Sequence, residues 1–156
     1  MPTATESTQR KLHFSNNEDI RADIENLLAN GFETRGNWTL GQILEHMARA
    51  IDASFEGFDF TVPWFARTFI GPFMKKKFIS ETMPAGYQFK QPTNIVPPAE
   101  TDQEQALDNY LAALERLEGA APTQKHPFVG KLNHEQWKQL TLRHAELHLG
   151  FVHSTA

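Results

Sequence analysis

Four stretches of the sequence repeat apolar residues at the spacing of an amphipathic α-helix, and this pattern constrains the fold more than any other feature. Thr39 and Gln42 fit a capping box at the start of the second stretch, while Gly31 and Gly119 stand where the first and third should end. The four predicted helices are Asn17–Asn30, Leu40 to about Phe58, Asp102–Leu117 and Asn133–Ser154. We therefore predict one all-α domain over residues 1–156, with a flexible polar segment at residues 1–10.

The lengths of the connections predict how the helices are arranged. Short connections between helices 1 and 2 and between helices 3 and 4 favour antiparallel neighbours, whereas about forty residues separate helices 2 and 3. That long segment is rich in proline and in aromatic residues, so it should pack on the domain rather than form a free linker. Within it we expect short helices at Trp64–Ile70 and Phe73–Ile79 and an extended part through Tyr87 and Phe89. The predicted fold is an up-down-down-up four-helix bundle with a long, partly helical crossover between helices 2 and 3.

The composition excludes several classes of protein. The chain has no cysteine, so disulfides and thiolate metal sites are excluded, and histidine and carboxylates are the main metal ligands that remain. A net charge of -4 provides no basic field for nucleic acid. The N-terminus lacks the apolar core of a signal peptide, and no apolar run approaches the ~20 residues that span a bilayer. We expect a cytoplasmic protein that binds no nucleic acid and forms no stable membrane association.

Three histidines form the candidate site. His144 and His148 lie four residues apart on the last predicted helix, about 40° around its axis and about 6 Å along it, so both rings lean the same way. His46 lies on the apolar stripe of the second helix, which the predicted topology places opposite them. Three neutral imidazoles with open positions are typical of a catalytic site for Zn²⁺, and Ni²⁺, Fe²⁺ or Mn²⁺ would also fit. A bound Zn²⁺ can activate water or bind a thiol as thiolate.

Two other interpretations of the histidines stay open at this point. The ion can be purely structural, or the rings can be metal-free core histidines, since this spacing arises by chance on many helices. A metalloprotease of the H-E-x-x-H type is unlike this sequence, because Ala145 follows the first histidine of the pair and Glu146 should point away from both rings. Among the remaining histidines we expect His13 in an arm, His134 in a solvated first turn, and His153 in the last helical turn.

Pocket walls are predicted from polar and aromatic residues near the histidines. The candidates are Trp38, Gln42, Trp64, His126 and Trp137. No catalytic residue beyond the metal ligands is indicated. The run Lys75–Lys77 beside Phe73 and Phe78 favours a solvated face, with an anionic membrane surface or a phosphate as the alternative.

The segment Gly36–His46 (GNWTLGQILEH), followed by His-x-x-x-His on the last helix, resembles the DinB/YfiT-like superfamily of bacterial metal-binding four-helix bundles. The segments Arg10–Phe14 (RKLHF) and His126–Leu132 (HPFVGKL) are similar to its uncharacterised branch, a domain of unknown function. The resemblance implies the same bundle, frequent dimers, and a triad carried onto His46, His144 and His148 that holds Zn²⁺ or Ni²⁺.

Characterised members of that superfamily include S-transferases and isomerases that use bacillithiol, mycothiol or glutathione. From the three-histidine site we therefore expect a metal-dependent enzyme, a thiol S-transferase or hydrolase, with a small-molecule substrate; a low-molecular-weight thiol as a further cofactor is suggested by these relatives. The alternative is a non-catalytic, metal-stabilised binding or stress-associated module.

Overall fold

The computed structural model describes residues 9–83 and 93–156. In that part of the chain, six helices and two short strands are formed. In chain order they are α1 (Asn17–Asn30), β1 (Phe32–Thr34), α2 (Leu40–Glu56), α3 (Trp64–Phe69), α4 (Gly71–Ser80), α5 (Gln103–Gly119), α6 (His134–Leu149) and β2 (Val152–Ser154). The protein is therefore mostly helical, as predicted, and the crossover between α2 and α5 contains both expected short helices.

Local side-chain caps explain where the long helices begin. At α2, the Gln42 backbone N–H donates to Thr39 Oγ1 at 3.2 Å and the Thr39 N–H donates to Gln42 Oε1 at 3.0 Å, so the predicted capping box is confirmed. Asn133 and Gln136 form a second capping box at the start of α6. These two caps set the register of the two helices that carry the candidate site.

The end of the last helix was predicted wrongly. The helix α6 ends at Leu149, and Val152–Ser154 instead forms β2, which pairs antiparallel with β1. The loop predicted for residues 32–38 thus contains a strand, and His153 lies on β2 rather than in a helical turn. The physical reason is tertiary: Gly150 is packed under Arg10, whose N–H donates to the Gly150 carbonyl at 2.7 Å. The protein is not purely α-helical, although its sheet has only two strands.

The core is built from one face of each long helix. Among the described elements, α2 and α5 make the most extensive contact, and α4 packs on α6. The most deeply buried apolar side chains, all at 0% exposure, are Ile20, Leu44, Tyr110, Leu114, Ala145, Leu149 and Val152. Leu28 on α1 is 40% exposed, because it stands on the edge of the apolar stripe of that helix. None of the described helices is long and apolar enough to cross a membrane.

The N-terminal arm is held more firmly than its composition suggested. Arg10, which was placed in the flexible segment, pairs its guanidinium with Asp23 at 2.8 Å and donates to the Leu149 carbonyl at 3.0 Å. Residues 1–8 of that predicted segment lie outside the described residues, and so do Tyr87 and Phe89 of the predicted extended part.

Candidate metal centre

Three imidazoles from two helices converge. His46 on α2 and the pair His144 and His148 on α6 each offer a ring nitrogen, and these atoms all lie within 4.8 Å of one another. His144 Nε2 stands in the middle, 3.0 Å from His46 Nε2 and 2.9 Å from His148 Nε2. The ring centroids are 4.6–4.9 Å apart and the ring planes are steeply inclined, so the edges rather than the faces meet. The structure thus brings together all three histidines selected from the sequence.

The hydrogen bonding of His46 determines which of its ring nitrogens is unprotonated and presents its lone pair to the cluster. His46 Nδ1 donates to the Ile95 carbonyl at 2.7 Å, because a carbonyl oxygen only accepts. In the neutral ring Nε2 is then unprotonated and directed at His144. Lone pairs that face one another at about 3 Å repel unless a proton or a cation lies between them. A single divalent ion would accept all three nitrogens at once, which is the arrangement of three-histidine metal sites.

Burial keeps these imidazoles in the neutral form that binds metals. Desolvation lowers the pKa of His46 to about 4, although its bond to the Ile95 carbonyl opposes the shift. Burial also lowers the pKa of His144 and His148 well below the usual value, and the positive charge that each neighbouring ring would carry lowers both further. His46 is 4% exposed, and His144 and His148 are half-buried as residues. The imidazole cluster therefore lies mostly out of contact with water.

Trp38, one of the predicted pocket residues, lies against the histidine cluster. Its ring stacks on the ring of His148 with centroids 5.7 Å apart at 27°, and it contacts His46 at 4.8 Å. Trp38 directly precedes Thr39, which caps α2, so the same turn that starts the helix also places the indole over the histidines. An aromatic face at this point shields the imidazoles from water.

His126 and Trp137 form an aromatic cluster next to the histidines. The His126 ring lies 5.7 Å from the Trp137 ring and 6.1 Å from the Phe58 ring. His126 Nδ1 accepts the backbone N–H groups of Phe128 at 3.1 Å and Val129 at 3.3 Å, so Nε2 carries the proton of the neutral ring. Burial lowers the pKa of His126 to about 4. The Trp137 indole N–H is buried and has no hydrogen-bond partner among the described residues.

Two predicted pocket residues lie elsewhere. The Gln42 side chain accepts the Thr39 N–H in the capping box and donates to the carbonyls of Pro98 and Ala99 at 3.2 and 3.4 Å. Trp64 is 67% exposed on α3, and its ring contact within the described chain is with Phe65. In the structure Gln42 therefore serves as a helix cap and Trp64 lies exposed on α3, and their place in a pocket stays a prediction.

Sequence reasoning missed a buried ion pair behind the ligand helix. Glu146 does point away from the histidines, as predicted, but it is 1% exposed and pairs with Arg143 at 3.0 Å. Its carboxylate also accepts the Phe14 N–H at 2.8 Å and the Thr82 hydroxyl at 2.7 Å. The Arg143 guanidinium donates to the Phe14 carbonyl at 2.6 Å and to His13 Nδ1 at 3.1 Å. The available signal was the i, i+3 spacing of the opposite charges Arg143 and Glu146.

This network ties three parts of the chain together. The arm at His13 and Phe14, the part of the crossover that follows α4 at Thr82, and the ligand helix α6 meet at one buried carboxylate. Arg143 and Glu146 lie in the same turns of α6 as His144 and His148 but on a different face. The network therefore holds one face of α6 while the other face carries the imidazoles. The orientation of the candidate ligands therefore depends on contacts from segments far away in sequence.

A mostly helical domain with three imidazoles converging from two helices defines a candidate three-histidine metal-binding protein. Comparison with protein families assigns the chain more narrowly. It belongs to the family described as "Protein of unknown function (DUF1569)", whose model matches residues 6–155. No curated protein and no solved structure matches the chain.

Proposed function

We propose that this protein is a metal-dependent enzyme of the DinB-like kind, in which His46, His144 and His148 hold one divalent ion through Nε2. The observation that carries the proposal is the meeting of three Nε2 atoms around His144, at 2.9 and 3.0 Å. Metal–nitrogen bonds of ~2.0–2.1 Å require nitrogens about 3.0–3.4 Å apart, depending on the coordination geometry. The two distances to His144 are already close to this span, whereas the ligand nitrogens of His46 and His148, which lie within 4.8 Å of one another, would have to move closer together to share one ion.

Zn²⁺ or Ni²⁺ fits this donor set best, because both accept imidazole and neither requires the carboxylates that hard cations prefer. When bound, such an ion lowers the pKa of a coordinated water or thiol and polarises an oxygen of the substrate. The chain's own residues supply the remaining functions. Trp38 excludes water from one side of the imidazoles, and the bond from His46 Nδ1 to the Ile95 carbonyl keeps Nε2 free for the ion.

The proposed reaction is transfer of a low-molecular-weight thiol to a small electrophile, or hydrolysis of a small substrate. Three imidazoles leave a fourth coordination position for water or substrate, and such an open position distinguishes a catalytic from a closed structural site. The up-down-down-up order of the long helices, a homodimer and a cytoplasmic location are part of the same proposal. Size-exclusion chromatography with light scattering tests the dimer.

A second candidate is a non-catalytic module in which the ion holds α2 and α6 together. The burial of His46 at 4% exposure favours it, since an ion bound there would cross-link two core helices. Chelation separates the two functions. Removing a structural ion should lower the melting temperature strongly, whereas removing a catalytic ion should abolish turnover with a smaller thermal effect.

The direct test is elemental analysis of untagged protein purified without a nickel column. We expect about one Zn²⁺ or Ni²⁺ per chain, lost in His144→Ala and retained in His134→Gln, which alters a histidine on the same helix outside the cluster. The metal-loaded protein is then screened with low-molecular-weight thiols and electrophiles. Sub-stoichiometric metal that is the same in wild type and His144→Ala would reject the metal site, and full metal loading without turnover would reject only the enzyme.

A further inference from the structure

The outer face of the crossover is apolar and exposed. Its aromatic face consists of Trp64, Phe65, Phe69, Ile70 and Phe73, which are 67, 56, 76, 53 and 73% exposed. Apart from Leu28, these are all of the strongly exposed large apolar side chains in the described part of the chain. At typical areas for such side chains they expose roughly 600 Å². That is at the upper end of the patch sizes that soluble monomers leave uncovered, and such patches usually mark an interaction site.

The aromatic face spans α3 and α4, and α4 packs on the core. On its inner side α4 presents Met74, Phe78 and Ile79 to the hydrophobic core. At its start Gly71 lies so close to the chain that a Cβ there would stand 3.0 Å from the Phe128 carbonyl. Phe73 therefore projects outward because the opposite side of α4 packs on the core, and α3, which carries Trp64, Phe65 and Phe69, has no buried residue.

Positive charge surrounds the aromatic face. Residues 60–80 contain Arg67, Lys75, Lys76 and Lys77 but none of the chain's 19 acidic residues. Arg67, Lys76 and Lys77 are exposed, while Lys75 donates to the Lys131 carbonyl at 3.1 Å. In a protein of net charge -4 this is a local reversal of sign. Aromatic side chains with a basic rim are the composition of segments that lie in the interface of an anionic bilayer.

A second copy of the chain fits this surface less well. A two-fold symmetric interface would bring the cations Arg67, Lys76 and Lys77 of both copies together, and like charges repel. The charge therefore favours a negatively charged surface instead.

We propose that the aromatic face and its basic rim are a reversible docking surface for an anionic phospholipid bilayer. The rings of Phe69 and Phe73 enter the headgroup region while Lys76 and Lys77 contact lipid phosphates. This attachment is peripheral and is distinct from a membrane span. The proposal does not depend on the metal centre, because none of these residues belongs to the histidine cluster.

Co-sedimentation of the full chain with sucrose-loaded vesicles tests the proposal. We expect binding to phosphatidylcholine vesicles that contain 30% phosphatidylglycerol, weak binding to pure phosphatidylcholine, and loss of binding in 0.5 M NaCl, because salt screens surface charge. Each basic residue near an anionic surface contributes about fivefold in affinity, so removing Lys76 and Lys77 should weaken binding at least 25-fold.

Matched variants separate the surface from general charge. Lys76→Glu/Lys77→Glu should abolish binding, whereas Lys11→Glu/Lys125→Glu, with the same change in net charge at exposed sites elsewhere, should retain most of it. Phe69→Ser/Phe73→Ser should weaken binding more than Leu28→Ser. Circular dichroism of each variant establishes that it is folded. Equal binding by the two lysine double variants, or no binding of the wild type to the anionic vesicles, overturns the proposal.

Fluorescence gives a second readout at the surface itself. Trp64 is 67% exposed while Trp137 is 3% exposed, so anionic vesicles should shift the emission to the blue mainly through Trp64. The shift should disappear in Trp64→Phe. A wild-type dimer that becomes monomeric in Phe69→Ser/Phe73→Ser would instead assign the surface to contact between copies and reject the lipid.

Discussion

The buried pair of Arg143 and Glu146 provides the sharpest test of how the ligand helix is held. In Glu146→Ala the Arg143 guanidinium, at 4% exposure, loses its counter-charge, and the Phe14 N–H and the Thr82 hydroxyl lose their acceptor. Removing one partner of a buried pair costs about 3–5 kcal/mol, because the remaining charge stays desolvated. Since domains are stable by only ~5–15 kcal/mol, the variant should fold but be markedly less stable.

Urea unfolding followed by circular dichroism, with chelator present throughout, measures this effect without any contribution from metal. At a typical dependence of ~2 kcal/mol per molar urea, the midpoint of Glu146→Ala should fall by about 2 M. The matched control is Glu18→Ala, because Glu18 and Arg21 form an i, i+3 pair with the same chemistry on the surface, at 83 and 30% side-chain exposure. An exposed pair contributes ~0–1 kcal/mol, so the control should unfold near the wild-type midpoint.

A double-mutant cycle determines whether the two residues act as one unit. Arg143→Met and Glu146→Ala should be strongly non-additive, with a coupling of at least about 2 kcal/mol, since either change alone already breaks the network. If Glu146→Ala does not fold, Glu146→Gln replaces it, because the amide oxygen still accepts one bond. Equal midpoints for Glu146→Ala and Glu18→Ala, or additive effects within about 0.5 kcal/mol, would refute the buried network.

Three further outcomes are expected. Wild type at 100 times its dissociation constant for Zn²⁺ should gain about 2.7 kcal/mol of stability, while His144→Ala should gain much less in the same thermal scan. The folded-state pKa of His126, near 4, lies below its unfolded value of 6.5, so the unfolded state binds more protons between these values. The contribution of His126 to the free energy of unfolding is fully present above pH 6.5 and is lost as the pH falls toward 4, by about 3 kcal/mol at most. The variant His126→Phe should therefore flatten this part of the stability–pH curve, measured in the presence of chelator. Gly150→Ala should cost ~1–3 kcal/mol in urea unfolding, because its Cβ would stand 2.9 Å from the Glu146 carbonyl and 3.2 Å from that of Arg10; wild-type stability would contradict that packing.

The long helices and the histidine pair were predictable because the interactions that define them are local. Thr39 and Gln42 cap α2 across three residues, and the spacing of His144 and His148 follows from the pitch of a helix. The position of His46 opposite the pair needed one more step, since the apolar stripe of α2 had to face the core. This inference was correct because the hydrophobic effect turns the apolar stripe of an amphipathic helix toward the core. Whether the three rings hold an ion stays a prediction.

The sequence alone was less informative where contacts join distant segments. The strands β1 and β2 have three residues each and pair Phe32 with Ser154, so neither carries a local periodic signal. Trp38 and Trp64 were both predicted as pocket residues, but their surroundings in the structure differ. Trp38 stacks on His148, whereas Trp64 lies on an outer helix at 67% exposure. Their burial depends on what the rest of the chain places beside them.

Local patterns thus specified four amphipathic helices, their caps and a pair of ligands on one helical face, because hydrogen bonds and side-chain periodicity within a few residues determine such features. The folded chain was needed to show that Glu146 is buried among the arm, the crossover and α6, that Gln42 is used as a cap, and that an aromatic, basic surface remains open on α3 and α4. Desolvation and pairing depend on neighbours in space, and those neighbours come from parts of the chain more than fifty residues apart.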